Sequence, residues 1–465
     1  MINFDPGPKL RAVSTQQSTS SSNAVHATVT VNARGLGRIR AGHPWIYRPD
    51  IVRGPAQDAG QGGPAVVAVV DARGHRVGTA TWAATARLAL RMLTRSGDPD
   101  DPLGQQAEAP GRPLGDLEAL IACVRDRFAP ALARRERARA AGLLDRDAYR
   151  VIHAESDRLP GLIVDRYGDT AVMQTTSVAM NAARARLAPM VAEWLGARLV
   201  VARDDGSARD FEDLPRTAGI LLDRGTGRAG PGLAGPGSDP SPTHVRYRIG
   251  DNHFEADLLT DGKTGGFLDQ ADNHLALAAL APPGGRVLDA FTYHGGFALA
   301  LARRAASVVA TDASPEAVAR TRENAARNGL ANVTVAQADA FELLRRLESE
   351  RAFFDVVVLD PPALAKRGAT AGNRPGSTAL TAADRAYREL FLRGARITAP
   401  GGLLVVCSCS GRVSRAHFEE LVTLATADSG RAAVVVARLG AAIDHPELVG
   451  VPETGHLKCW ILRVL

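Results

Sequence analysis

Arg286-Val-Leu-Asp-Ala-Phe-Thr-Tyr-His-Gly-Gly-Phe297 reads as a short apolar strand running into a glycine-rich turn and then into an apolar helix, Ala298–Arg304. Adjacent glycines let the backbone approach a ligand closely, and the free N–H groups of a helix start favour polar or anionic ligand groups. The spacing is not G-x-G-x-x-G, so a pyrophosphate cradle is disfavoured. Downstream, the strand Ser307–Thr311 ends at Asp312, 23 residues beyond Asp289. An acid there, in a chain that alternates strand and helix, can accept hydrogen bonds from ribose hydroxyls. A third strand, Val333–Gln337, is followed by Asp339, and a fourth ends in Asp360-Pro361-Pro362. Prolines donate no backbone hydrogen bond, which leaves the acceptors of that turn free for the amino edge of a flat base. Each piece alone is only a strand-terminating turn. Together they predict a nucleoside-bearing cofactor along the C-terminal edge of a parallel sheet.

The fifth strand, Gly402–Cys407, leads to Cys409. Cys407, at the apolar end, reads as a small hydrophobe. Cys409 lies between serines beside the same edge, and spacing alone leaves it open between a packing residue and a covalent nucleophile. Helical patterns at Pro315–Asn328 and Ala382–Thr398 separate the strands. The last strand, Lys458–Val464, follows the strand-like run 432–437 with no long helix between. The expected fold is therefore α/β, a doubly wound sheet over 246–465 that closes with an antiparallel hairpin. Cys123 and Cys459 read as packing residues. No CxxC pair or Cys/His metal spacing occurs, so no disulfide framework and no metal site is expected.

Towards the N-terminus, alternating apolar segments separated by Gly/Pro turns predict a small β-rich domain over 27–96. Residues 97–116 are polar and Pro/Gly-rich, a linker by composition. Residues 117–245 suggest an α+β middle domain. It opens with a helix over 117–145, whose Arg134, Arg135, Arg137 and Arg139 read as a solvated face, and it carries a Gly/Pro-rich insertion at 224–244. Residues 1–26 read as a disordered tail. The 465-residue length suggests several domains, and 45% hydrophobic with 23% charged residues excludes a wholly disordered chain. No apolar run approaches a spanning length, and the first residues lack a signal-peptide core, so a cytoplasmic protein without a membrane partner is expected. The net charge is +6; of 56 basic Lys and Arg residues, only Lys9, Lys263, Lys366 and Lys458 are lysines. That modest excess favours a polyanionic partner.

VLDAFTYHGGFALALA, ATDASPEAVARTRENAARNGL, ADAFELL, FDVVVLDPPALAK and LLVVCSCSGRV resemble, in order, the S-adenosylmethionine motifs of class I methyltransferases. More narrowly, the chain is similar to the RlmI-type large-subunit ribosomal RNA cytosine-5 methyltransferases. KTGGFLDQADNHLAL resembles that family's cofactor-covering KTGFFLDQRDNR element, and GRIRAGHPWIYRPDIVR the opening of its PUA RNA-binding domain. RLPGLIVDRYGD and HPELVGVPETGHLKCWILRVL resemble its middle and closing regions. The match covers nearly the whole chain from about residue 31, except 97–116 and 224–244. Three positions depart from the pattern: the family's Phe-Phe is Gly266-Phe267, its next Arg is Ala271, and its closing Arg is His274.

The resemblance implies a class I methyltransferase domain of seven strands, with S-adenosylmethionine as cofactor and ribosomal RNA, 23S by family, as partner. Asp289, Phe291, Tyr293 and Gly295 would line the methionine and sugar side, Asp312 the ribose and Asp339 the adenine. Lys263 and Asp269 are retained in the covering element. Cys409 matches the family's nucleophile and Asp360 would grip the cytosine N3/N4 edge, while Arg38, Arg40 and Arg48 are phosphate-contact candidates on the PUA surface. His294 reads as filler in its loop and Trp45 as a packed core side chain. The family often forms homodimers, but the sequence carries no interface signal. Two alternatives stay open: an N-methyltransferase acting on an exocyclic base amine of RNA or DNA, and a non-catalytic RNA-binding assembly factor.

Overall fold

The computed structural model describes residues 27–55, 65–98, 117–225, 241–364 and 381–465. The expected tail at 1–26, nearly all of the linker at 97–116 and most of the insertion at 224–244 lie outside those residues. Among the described residues no helix is long and apolar enough to cross a membrane.

β1 (Thr28–Val31), α1 (Ala33–Arg40), β2 (Trp45–Tyr47), β3 (Ile51–Arg53), β4 (Val66–Val70), β5 (Arg76–Trp82) and β6 (Leu88–Arg95) build a six-stranded sheet in the order β2-β6-β5-β4-β1-β3. Asn32 starts α1 by accepting the Gly35 N–H, satisfying a donor the helix cannot. Val29, Val31, Ile46, Val67, Val69 and Leu90 form its core.

α2 (Leu117–Ala140) leads to a five-stranded sheet of β7 (Ala148–His153), β8 (Leu162–Tyr167), β9 (Thr170–Thr175), β10 (Leu199–Asp204) and β11 (Thr217–Asp223), with α3 (Val178–Leu195) between β9 and β10. Side chains alternate across this sheet. Tyr149, Val151, Val164 and Met173 pack on α2 and α3. Ala148, Tyr167, Val172 and Val201 turn the other way, into a core shared with the hairpin β12 (His244–Ile249)–β13 (Asn252–Asp257) and the last sheet. The middle and last regions are thus joined by apolar packing. Arg135 departs from the solvated-face expectation: it is 3% exposed, donating to both carboxylate oxygens of Asp157 at 2.7 and 2.8 Å.

α4 (Ala271–Leu280) enters the final unit. There β14 (Arg286–Asp289), α5 (Gly296–Ala302), β15 (Ser307–Asp312), α6 (Pro315–Arg327), β16 (Val333–Gln337), α7 (Ala340–Ser349), β17 (Phe354–Leu359), α8 (Ala382–Ile397) and β18 (Thr398–Ser408) follow one another. α9 (Arg415–Ser429), β19 (Ala433–Leu439) and β20 (Lys458–Val464) complete it. The strand order is β16-β15-β14-β17-β18-β20-β19, with β20 antiparallel to both neighbours. This is the expected doubly wound sheet with its closing hairpin. The order reverses at β14, whose two neighbours are β15 and β17, and a crevice opens at such a switch point beyond the strands' C-terminal ends.

Candidate active site

That crevice encloses a cavity of about 410 Å³, a volume suited to a small organic ligand. Phe291, Tyr293, Asp312 and Asp339 line one side and Asp360 and Cys409 another, with Lys263 and Asp269 contributed by the segment before α4. Asp289 and Gly295 do not line it. Asp289 is buried behind the turn, where Oδ2 accepts the Ala298 N–H at 3.1 Å, and Gly295 holds φ +91°, a conformation only glycine adopts without strain. Burial, reinforced by the charges of Asp360 and Asp312, pushes the Asp289 carboxyl up to about 7.

The turn is braced from below. Tyr293 sits at φ +48°, its N–H donates to Asp312 Oδ2 at 2.9 Å, and its hydroxyl accepts the Gly262 N–H at 2.7 Å. Asp312 Oδ1 accepts the Ser314 N–H at 3.0 Å, so the carboxylate is fixed while each oxygen keeps a lone pair for a ligand. Asp339 Oδ1 accepts the Glu342 N–H at 3.0 Å, starting α7. His294, read from the sequence as filler, instead stacks on Tyr293 with ring centroids 3.7 Å apart and faces the cavity.

The opposite wall is charged. Lys263, at φ +53°, donates to both oxygens of Asp269 at 2.7 and 2.6 Å and lies over the Phe267 ring. Burial pushes Asp269 up, but Lys263 and His456, whose Nε2 is 3.2 Å away, outweigh it and hold the carboxyl well below its ordinary range. Gln270 Nε2 donates to Asp360 Oδ2 at 2.8 Å. Burial and the neighbouring Asp269 charge push Asp360 up to about 7. Burial and Asp360 also raise the Cys409 thiol, with Lys263 as counterweight. Cys407 is buried opposite Cys459 on β20.

Gln270, His456, Tyr247 and His274 join the site without having been singled out for it. Where the resembled pattern has a second phenylalanine, a Cβ on Gly266 would stand 2.7 Å from the Tyr247 hydroxyl, so an aromatic side chain from β12 fills that space. Where the pattern has its closing arginine, His274 packs edge-on against Phe297 and against Gly296; burial takes its imidazole down to about 3, so it is neutral. The signal for His456 lay in the closing segment, two residues before a rare lysine.

The cavity's chemistry fits a cationic, amphiphilic nucleoside. Four aspartates line it against one lysine, and among the described residues the buried Asp289 Oδ1, His274 Nδ1 and His294 Nδ1 have no hydrogen-bond partner. Such orphaned groups imply ligand or water partners.

The three arginines of the N-terminal sheet differ. Arg40 is exposed at the end of α1, whereas Arg38 approaches Asp50 at 3.5 Å and lies over Tyr47. Arg48 points inward, donating to the Ala83 and Ala86 carbonyls and covering Trp82. Trp45 is only half buried, and its Nε1–H donates to Glu155 of the middle region at 2.9 Å.

A family profile described as a methyltransferase domain matches residues 282–439, and a PUA-like domain profile matches 29–95. The chain is 31% identical over 434 residues to the ribosomal RNA large subunit methyltransferase I of Shewanella amazonensis, covering 91% of this chain and 95% of the relative. It is 34% identical to the protein of the same name from Aeromonas hydrophila, over 69% and 77% of the two chains. Among solved structures, a methyltransferase complexed with SAH superposes with a TM-score of 0.71 at 15% identity, covering 94% of this chain and 99% of that one. A SAM-dependent methyltransferase from Streptococcus mutans gives 0.70 with the same identity and coverage. At that identity the likeness is one of fold.

Proposed function

The chain belongs to the ribosomal RNA large subunit methyltransferase I family, and we propose that it methylates C5 of a cytosine in 23S ribosomal RNA through a covalent adduct on Cys409. The observation that carries this reading is convergence: Cys409 and Asp360 share one cavity with the aspartates suited to a nucleoside cofactor. S-adenosylmethionine, when bound there, supplies a methyl group activated by its sulfonium charge. Asp312 would hold its ribose and Asp339 its adenine edge, while Phe291 and Tyr293 flank it and Lys263 and Asp269 cover it from the segment before α4. Asp289 and Gly295 would act from behind, by fixing the turn.

Cytosine C5 is a weak nucleophile because its electrons are held in the conjugated ring. The Cys409 thiolate adds to C6, which breaks that conjugation and places enamine character on C5. Asp360, raised to about 7, is partly protonated near neutrality and donates to N3, drawing electron density from C6 as sulfur adds. A base must be unstacked to enter this cavity, so a loop or flipped nucleotide is the substrate. Exposed basic residues of the N-terminal sheet, Arg40 first among them, would contact phosphates.

Cys409→Ser tests the route. It is expected to reduce transfer to 23S RNA to background while leaving S-adenosylmethionine affinity, measured by calorimetry, within about twofold. Undiminished transfer would reject the adduct, and recovery of an N-methylated nucleoside would favour the exocyclic-amine alternative.

A further inference from the structure

The chain places a buried cation behind the reactive edge. Lys458 opens β20 directly opposite Ser408 of β18. It is 2% exposed, and its Nζ donates to the carbonyls of Ser410 at 2.7 Å and His456 at 2.8 Å. Ser410 is the residue after Cys409, so the ammonium is clamped against the backbone that carries the thiol. Among the described residues no carboxylate pairs with it. A buried ammonium without an acid partner is costly, and a nearby anion offsets that cost. Both carbonyls together satisfy two of its three N–H groups, and one remains.

Residue choice supports the same reading. With only four lysines among 56 basic Lys and Arg residues, the chain uses arginine almost wherever a cation suffices. Lys263 and Lys458, the two lysines among the described residues, both border the Cys409 edge. A compact tetrahedral ammonium can serve two carbonyls and a sulfur at once, which a planar guanidinium fits poorly.

We propose that Lys458 is a positioning residue for the Cys409 nucleophile, its buried ammonium pairing with the thiolate through the remaining N–H. The proposal rests on the reading of Cys409 given above. In the step, the S–H bond breaks with its electron pair left on sulfur, and the proton passes to water. When the adduct later eliminates, the C5 proton passes to water, the C–H pair re-forms the C5=C6 double bond, and the C–S pair returns to sulfur beside the same ammonium. The groups acting on the pair are few. Asp360 and Asp269 oppose the thiolate and Lys263 favours it. Burial lowers Lys458 to about 8; Cys409 and Glu447 favour its ammonium and Arg415 opposes it. Glu447 and Arg415 are bonded to each other, and among the charges acting on Lys458 that of Cys409 is the largest.

The test is the pH dependence of Cys409 alkylation by iodoacetamide, read by mass spectrometry on its peptide. Cys123, Cys407 and Cys459 are buried, so Cys409 is the accessible thiol. Lys458→Met is expected to move the midpoint up by about one pH unit and slow alkylation near pH 7.5 about tenfold, with cofactor affinity unchanged. Lys458→Gln, which keeps donors for both carbonyls, should do the same if the methionine variant fails to fold. Lys458→Arg, which keeps the charge in a poorer fit, should fall between the native rate and that of Lys458→Met. An unshifted midpoint in a folded neutral variant overturns the pairing. Full activity of Cys409→Ser would instead overturn the adduct route, so the two failures are distinguishable.

Discussion

Asp360 and Asp289 hold their protons up to about 7 because each is buried among other carboxylates, against an ordinary value of 3.8. A folded-state pKa raised above the unfolded one gives stability that is complete below the unfolded value and disappears as pH rises through the folded one. The ligand-free protein should therefore lose stability between about pH 4 and 7 from these two groups. Asp360→Asn removes one of them. Its Tm, followed by differential scanning fluorimetry, is expected to exceed the native value by a few degrees at pH 8 and to match it at pH 4. Equal melting at both pH values would mean that the carboxylate bears no such cost. The sequence marks Asp360 by its Pro-Pro turn, but its proton depends on Asp269 and Gln270, brought alongside only by the fold. For the same reason Asp289, next to the glycines, looks like a cavity residue until the Ala298 N–H is seen to claim it.

Strand and helix periods made the last sheet legible almost element by element, since parallel strands buried on both faces write continuous apolar runs. What stayed hidden was how the elements grip each other through charge. Arg146, fully buried, donates to Asp272 at the start of α4 and to Asp444 Oδ1 at 2.7 Å; Asp444 Oδ2 also accepts the Arg150 N–H of β7 at 2.8 Å. Acids from two distant segments thus fix the approach to α4, and with it Lys263, Asp269 and Gln270. No local pattern announces such a pairing. Arg135, in a helix whose arginines looked solvated, is the same lesson. Removing one partner of a buried pair strands the other charge, at a cost of roughly 3–5 kcal/mol. Asp444→Ala leaves Arg146 paired only with the partly exposed Asp272 and the Arg150 N–H without its acceptor. It should therefore lower unfolding stability by roughly 3 kcal/mol in urea titration, the low end of that range, whereas a loss under about 1 kcal/mol would show that water readily replaces the acid.

At the scale of the whole molecule, the N-terminal sheet is tied to the middle sheet by a buried cluster. Arg91 donates to Glu155 at 2.8 Å and to Glu212 at 2.6 Å, and Trp45 adds its indole N–H to Glu155. That cluster fixes which side of the small sheet is free for a polyanion. Arg48 turns inward onto carbonyls, Arg38 shares Asp50 with Arg34, and Arg40 stays exposed, with no acid partner among the described residues. A phosphate contact releases counterions and steepens the salt dependence of binding, by about 0.7–0.9 in the log–log slope per contact. Arg40→Ala should therefore weaken binding of a 23S RNA fragment and flatten that slope by about one contact, measured by fluorescence anisotropy between 50 and 200 mM salt, both about the range where such slopes are read. Arg48→Ala should leave the slope as it was while destabilising the small sheet, because its guanidinium neutralises carbonyl dipoles inside the protein and no phosphate outside. The reverse ranking would place the RNA on the opposite side of the sheet.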